Sequence, residues 1–351
     1  MNVKTLAPPD FTEDEQALII TDLLALKKEQ IGDFYARNGL PKSGTKEQLR
    51  ARIEEALGDA TLSLSQVVEF LDEVIPWGKQ HVYLYKGPQT PIDDWRKTDW
   101  VAKLLKQKRF GKYLNARLSL VLPEKMKVSS ILHKPSRLRV TAIKRRDWWE
   151  RNEDYDDKTT TDEGDDVQLK AFVHRVTRSL VAFEWDLVAN TAILQVSQLP
   201  TGHDYDDVAE EFFDLITDWL DIKMFSVVDL RPSVKKLHEC EEAKKKETRS
   251  HGINYRTLEG RRIEARSASA SDPLLGDGDF DAALSAVRKK GVGHLGNFYW
   301  LPSGAVAPAG NPLESEVHVI IVASKNRINF PTPNTEETVR YVLSRVRKHS
   351  S

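Results

Sequence analysis

Apolar residues recur every three or four positions in the N-terminal part of the chain, which is the spacing of amphipathic helices. From Leu23 to Leu57 this pattern predicts two helices around a tight turn. The first helix is expected from about 24 to 38. Gly39 would end it, because glycine adopts positive φ without strain. Pro41 prevents the helix from restarting at once.

The second helix of this hairpin is expected to begin at Ser43-Gly44-Thr45. Its N-cap is either Ser43 or Thr45, and with Thr45 as the cap, Gln48 at the third helical position completes a capping box. The apolar residues of its buried stripe are Leu49, Ile53 and Leu57.

Beyond residue 80 the apolar residues alternate with polar ones, which predicts strands. Strands are expected at 81–85, 116–122, 138–143, 169–177, 180–187, 191–198, 297–301, 317–323 and 328–330. Further candidates are a strand at 262–265 and a strand or short helix at 222–230. Further helices are expected at 14–20, 66–74, 99–110, 205–219, 232–243, 280–290 with Asp279 as its cap, and 335–347.

Strands followed by covering helices predict an α+β multi-domain protein with an antiparallel-sheet body. The expected organisation is a tail (1–13), a helical module (14–60), an α+β body with a basic face (61–243), a linker (244–278) and a C-terminal α/β unit (279–351).

The predicted hairpin carries a distinctive order of residues: Gly39-Leu40-Pro41-x-Ser43-Gly44-x-Lys46, then Leu49-x-x-Arg52-Ile53. This order resembles the SAP domain and covers about 35 residues, roughly a tenth of the chain. The resemblance implies a helix-turn-helix-like module that binds double-stranded DNA with little sequence preference.

The same stretch predicts a phosphate site on physical grounds. The first N–H groups of a helix lack backbone partners, and they attract anions when the helix end is exposed. The candidate DNA contacts here are Lys27, Lys28, Lys42, Ser43, Gly44, Thr45, Lys46 and Arg50. The alternative is a helical hairpin that only packs against another domain.

A second group of cations follows between Arg96 and Arg151, where seventeen Lys and Arg residues face four acids. Such an excess within a chain of net charge −1 is typical of a polyanion site. The candidate contacts are Lys106, Lys108, Arg109, Lys112, Arg137, Arg139, Lys144, Arg145 and Arg146. Eight acids at 153–166, expected to form a mobile loop, could instead balance these charges or compete with DNA.

Residues 80–240 also resemble, in the order of their elements, the centromere protein N family of nucleosome-binding proteins. The shared segments are Tyr85-Lys86-Gly87-Pro88 and Val228-Asp229-Leu230-Arg231. The resemblance implies a basic groove that holds DNA, and it identifies no individual binding residue.

Catalytic and metal-binding patterns are weak. Gly291-Val-Gly293-His-Leu-Gly296 matches a dinucleotide fingerprint, but a helix precedes it and a strand follows, so a flexible loop is expected. His238 and Cys240 lack a second pair for zinc. We therefore expect no cofactor, no metal and no catalytic residue.

Composition indicates a soluble protein. Hydrophobic residues make up 40% of the chain, and no apolar run is long enough for a membrane span. The single cysteine, Cys240, excludes an intrachain disulfide. The N-terminus lacks the apolar core of a signal peptide. We expect a cytoplasmic, nucleoid-associated protein if the source is bacterial and a nuclear one if it is eukaryotic.

The sequence thus predicts a non-enzymatic double-stranded DNA-binding protein of low sequence specificity, such as a DNA sensor or recruiter in a larger complex. Two alternatives stay open. One is a DNA-acting, nuclease-like enzyme with an unrecognised active site, which would be favoured if acids such as Glu184, Asp186 or Asp221 converged in a cleft. The other is an adaptor that binds protein through its body or C-terminal unit, including as a homo-oligomer.

Overall fold

The computed structural model describes residues 4–5, 11–242, 247–257, 259–276, 278–302 and 310–350. Within these residues the helices are α1 Glu13–Leu24, α2 Lys28–Arg37, α3 Lys46–Gly58, α4 Leu64–Val74, α5 Thr98–Gln107, α6 Tyr205–Ile216, α7 Arg231–Glu242, α8 Gly278–Lys290 and α9 Glu336–Ser350. The strands are β1 Lys4–Thr5, β2 Gln80–Lys86, β3 Ala116–Arg117, β4 Lys127–Lys134, β5 Arg137–Arg151, β6 Asp157–Thr160, β7 Asp166–Leu169, β8 Phe172–Asp186, β9 Thr191–Ser197, β10 Ser226–Val227, β11 Thr248–Arg256, β12 Arg262–Arg266, β13 Val292–Trp300, β14 Val317–Val322 and β15 Arg327–Phe330.

Helices α1 to α4 enclose one apolar core. Its most buried members include Leu23, Phe34, Ile53 and Val67, one from each helix in order. Each such side chain contributes roughly 1.5–3 kcal/mol on burial. Helix α4, which the sequence assigned to the body, therefore packs with the helical module.

Helix α2 begins at Lys28 and not near residue 24, because Leu23 and Leu24 belong to α1. It ends as expected at Gly39, which has φ +69°. The Leu40 N–H donates to the Tyr35 carbonyl at 2.8 Å, and the Gly39 N–H donates to Ala36. This is a Schellman motif with glycine at its left-handed position.

The large sheet has the order β1-β3-β4-β5-β8-β9-β2-β15-β14-β13-β11-β12, and the short β10 pairs with β2 outside this order. All its pairs except β1–β3 are antiparallel. Strand β2 shows how its faces divide. Tyr83 and Tyr85 face a core covered by α5 and α6, whereas Val82 and Leu84 face a core covered by α7 and α9. The mixed α+β class and the large antiparallel sheet are confirmed.

Several expectations for the C-terminal part are wrong. The stretch 244–278, expected as a linker, contains β11 and β12, and both lie in the large sheet. Strand β15 pairs directly with β2, with Val82 opposite Ile328. The C-terminal unit and the body therefore share one sheet. Helix α8 starts at Gly278, so Asp279 lies inside its first turn.

The glycine-rich run after α8 is a strand and not a flexible loop. It forms the first half of β13. A Cβ at Gly293 would lie 2.8 Å from the Arg231 carbonyl and 2.8 Å from the Val234 Cβ, both in α7. The run thus allows β13 to approach α7 closely, and a dinucleotide fingerprint is excluded because no helix follows it.

Strands β5 and β8 differ most from their predicted lengths. Each has 15 residues, and β8 is continuous where the sequence predicted two strands. The acidic segment expected as a mobile loop forms the small β6–β7 hairpin at the far end of this pair. By contrast, the strand expected at 116–122 is reduced to the two residues of β3.

Candidate nucleic-acid interface

The turn between α2 and α3 is built by backbone contacts. Thr45 is the N-cap of α3, and it forms the capping box with Gln48. The Arg52 guanidinium donates to the carbonyls of Pro41, at 2.9 Å, and of Ser43. Gly44 has φ +139°, and a Cβ there would meet the Gln48 side chain. Ser43 and Gly44 are exposed, but their role in this structure is to form the turn, and the bonds of Arg52 hold the turn in its shape.

Four lysines surround this turn: Lys27, Lys28, Lys42 and Lys46, which we call the turn patch. All four are exposed, and none forms an ion pair with a described residue. The Lys42 stem passes Gly32, one helical turn from Lys28, which brings the α2 and α3 ends of the patch together. The four ammonium groups of the patch are therefore exposed and outside any ion pair with a described residue.

One acid complicates the helix end. The Glu47 carboxylate hydrogen-bonds its own backbone N–H and Thr45, and these bonds lower the pKa of Glu47. An internal carboxylate thus occupies part of the position that a phosphate would take at an N-terminus. The sequence already placed Glu47 in the first turn of the predicted second helix, but the predicted phosphate site did not include this acid.

Arg50 does not extend the turn patch directly. Its guanidinium donates to the Thr21 hydroxyl at 2.9 Å and lies 3.7 Å from Glu54. It lines a groove of about 400 Å³ between α1 and α3, whose mouth includes Lys46 and Glu47. This groove lies beside the turn patch.

A second set of cations lies on α5 and the turn after it: Lys103, Lys106, Lys108, Arg109 and Lys112, which we call the α5 patch. All five are exposed and form no ion pair within the described part of the chain. No acid occurs between Asp99 and Glu124. Lys103 was missed as a candidate, although it lies one helical turn before Lys106 on the same face.

The α5 patch has apolar neighbours and an unusual backbone. Phe110 and Tyr113 are half-buried against the core, and the Lys112 ammonium lies 4.9 Å from the Tyr113 ring centre. Arg109 has φ +65°, in the left-handed region that favours glycine. Gly111 is close enough to α5 that its Cβ would lie 3.2 Å from the Lys106 Cα, so this turn folds back on the helix.

The arginines at the start of β5 do not form an exposed basic face. Arg139 lies 2.9 Å from the Glu184 carboxylate, and Arg340 of α9 lies 2.7 Å from it. Both guanidinium groups also lie over the Trp77 ring, at 5.2 and 4.8 Å. Arg137 is half-buried, 3.7 Å from the same carboxylate.

In this cluster the acid and the arginines each stabilise the charged form of the other. Burial lowers the pKa of Arg139, and Glu184 opposes that change. Burial alone would raise the pKa of Glu184, but the surrounding arginines hold it below its usual value. The expectation of a basic face at Arg137 and Arg139 is wrong, because a buried acid and a helix from the C-terminal unit cover it.

The later β5 cations are also paired. Lys144 and Arg146 both contact Glu211 of α6, at 2.6 and 3.5 Å, and Arg146 is buried. Arg145 forms a bidentate pair with Asp147. The cations of β5 between Arg137 and Arg151 are therefore paired with acids, whereas the α5 patch is the largest group of unpaired cations that the excess leaves; Lys125, Lys127 and Lys134 are also exposed and form no ion pair with a described residue.

The helical module is attached to the sheet close to the α5 patch. Arg117 of β3 lies five positions after Lys112, a span of at most about 18 Å. The Arg117 guanidinium donates to the Glu69 carbonyl of α4 at 2.9 Å. Deeper in the same contact, Arg178 of β8 pairs with Asp72 of α4, and both side chains are buried. The helical module is thus fixed to the strand that follows the α5 patch.

The described residues contain no group of three His, Cys, Asp or Glu side chains that could hold a metal ion. Asp186 accepts N–H bonds from the turn after β8, and Asp221 caps a short 3₁₀ helix. Across the same residues, the helices are all too short or too polar to cross a membrane.

Comparison with known proteins adds no identity. No protein-family model matches the chain. A search of curated protein sequences likewise finds no match.

Proposed function

We propose that this chain binds double-stranded DNA with low sequence preference, using the turn patch and the α5 patch as two phosphate-contacting surfaces. The observation that carries the proposal is nine exposed cations without ion-pair partners among the described residues, in two groups. The resemblance of the hairpin to the SAP domain supports the same reading.

The chemistry of the two patches favours phosphate contacts over base contacts. Lysines dominate both, and lysine meets phosphate as a flexible point charge. Contacts to phosphate position a protein on DNA but carry no sequence information. Two weak surfaces on one folded chain add their affinities, because binding of the first raises the local concentration of the second. A protein of this kind suits DNA sensing or recruitment within a larger complex.

The test is DNA affinity across a salt series, measured by fluorescence anisotropy with a labelled duplex of about 25 base pairs, long enough for both patches at about 3.4 Å per pair. One variant carries Lys42→Glu and Lys46→Glu, and another carries Lys106→Glu, Lys108→Glu and Lys112→Glu. Because each lost phosphate contact lowers the salt slope by about 0.9, the first variant should lose about two units and the second about three.

Lys223→Glu provides the matched control, since Lys223 is exposed and lies outside both patches. It should leave the slope unchanged. Wild-type protein that shows no binding at low salt, or patch variants that match the control, would exclude the proposal. Charge reversal is preferable to deletion of residues 1–60, because deletion would open the core shared with α4.

A further inference from the structure

The β5–β8 pair continues as a two-stranded ribbon beyond its neighbours in the sheet. The β4 partners of β5 end at Ile143, and the β9 partners of β8 begin at Val181. The two strands remain paired for eight further residues, from Lys144 opposite Ser179 to Arg151 opposite Phe172. The first three of these pairs are anchored, because Arg146 contacts Glu211 and Arg178 contacts Asp72. At about 3.4 Å per residue the other five pairs form an arm of about 17 Å, extended by the β6–β7 hairpin.

Residues 147–175 of the arm expose large apolar side chains. Trp149 is 67% exposed, Tyr155 71%, Phe172 51% and Leu169 50%. Trp149 lies directly opposite His174, with ring centres 5.2 Å apart, and the Arg151 guanidinium lies 5.6 Å from the Phe172 ring centre. Exposed apolar groups gathered in this way mark an interaction surface.

The charge of the arm excludes DNA as its ligand. Residues 147–175 contain ten Asp and Glu against four Lys and Arg. Within the described residues, the side-chain hydrogen bonds and ion pairs of residues 147–175 join these residues to one another, apart from those of Asp147 with Arg145 and with His203. The arm therefore presents aromatic groups and unbalanced negative charge to its surroundings.

The α5 patch has the complementary character. It carries five unpaired cations and no acid, with Phe110 and Tyr113 half-buried between them. A second copy of the chain offers this surface to the arm. The net charge of −1 leaves little overall repulsion between two copies.

We propose that the arm of one copy docks on the α5 patch of a second copy, with aromatic groups at the centre and ion pairs around them. A two-fold arrangement would let each copy give one arm and receive one, which closes the assembly. This inference does not depend on DNA binding.

The test is self-association of the full chain, measured by sedimentation velocity up to about 100 μM, a range that detects complexes with micromolar Kd. We expect a dimer that weakens as salt increases. Trp149→Ser with Phe172→Ser should weaken it at least tenfold. Val188→Ser is the matched control, because Val188 is 71% exposed but lies outside the arm.

A charge exchange tests the pairing itself. Lys106→Glu with Lys108→Glu should abolish association, and Asp165→Lys with Asp166→Lys should do the same. An equimolar mixture of the two variants should form a complex again. A monomer at every concentration, a dimer insensitive to the arm, or failure of the mixture overturns the proposal. A monomer whose arm binds poly-lysine overturns it in favour of a foreign basic partner.

Discussion

Gly39 and Arg109 occupy the same position in two copies of one motif. Each is the left-handed residue that closes a helix, with φ +69° and +65° respectively. Behind Gly39 the Leu40 N–H reaches back to the Tyr35 carbonyl, and behind Arg109 the Phe110 N–H reaches back to Leu105, both at 2.8 Å. Glycine takes this conformation freely, whereas arginine is strained in it. The strained copy lies in the α5 patch.

Arg109→Gly should therefore stabilise the fold and weaken DNA binding together. Relief of the left-handed strain contributes about 1 kcal/mol to the free energy of unfolding. Loss of the guanidinium removes one phosphate contact. Urea denaturation and DNA anisotropy measure the two effects. Arg109→Ala is the control, because it removes the charge and retains the strain. Equal stability of the two variants would show that the backbone of Arg109 is not strained.

Glu47→Gln should strengthen DNA binding by a few-fold at low salt. The Glu47 carboxylate bonds the backbone at the start of α3, where phosphate is expected, and it repels the ligand. DNA anisotropy detects the change. Glu55→Gln removes an equal charge from the same helix, away from its N-terminus, and should have a smaller effect. Equal gains in both variants would indicate that net charge alone matters and that the helix end is not a contact.

Local signals made the helical hairpin predictable. These signals are a capping box, a glycine at the helix end and apolar residues at every third or fourth position. Each lies within a few residues of the structure that it specifies. The turn patch could accordingly be identified before the fold was known. Arg109 was identified by its charge, but its left-handed backbone has no sequence signal because arginine normally avoids that conformation.

Contacts between residues far apart in the sequence explain most of the predictions that were wrong. Arg139 and Arg340 are about two hundred positions apart, yet they share Glu184, so no local pattern reveals that Arg139 is neutralised. Strand β11 was missed for another reason. Its inward residues include Ser250 and Asn254, which are polar and buried, so the apolar alternation that marks a strand is absent.

Asp72→Asn should destabilise the protein by roughly 3 kcal/mol or more, because it removes the carboxylate that is hydrogen-bonded to the buried Arg178 guanidinium. The same change loosens the contact between α4 and β8. Thermal or urea unfolding measures it. Arg37→Ala is the comparison, since Arg37 forms exposed ion pairs with Asp33 and Glu73, and surface pairs contribute about 1 kcal/mol or less. Similar losses in the two variants would contradict a buried pair at Asp72.

The free energy of unfolding should depend on pH because of the buried carboxyl of Asp22. Burial raises the pKa of this carboxyl to about 6, although Arg178 opposes the shift. The folded state then holds its proton more tightly than the unfolded state, whose pKa is about 3.9. Stability contributed by the protonated group is therefore complete below about pH 4 and is lost as the pH rises to about 6.

Asp22→Asn should accordingly stabilise the protein at pH 7.5, by about 3 kcal/mol at most, and have little effect at pH 4. Urea unfolding at the two pH values gives the comparison. Asp59→Asn, at an exposed position, should show no such difference. A gain at pH 4 that equals the gain at pH 7.5 would assign the effect to packing and not to ionisation.

DNA and a second copy compete for the α5 patch if both proposals hold. Duplex DNA added to the dimer should then release monomers bound to DNA, because phosphate replaces the acidic arm on the same lysines. Sedimentation with labelled duplex resolves the three species. The Trp149→Ser and Phe172→Ser variant should bind DNA more tightly than wild type, since its α5 patch is free. A dimer that binds DNA intact, with unchanged affinity in this variant, would place self-association and DNA binding on separate surfaces.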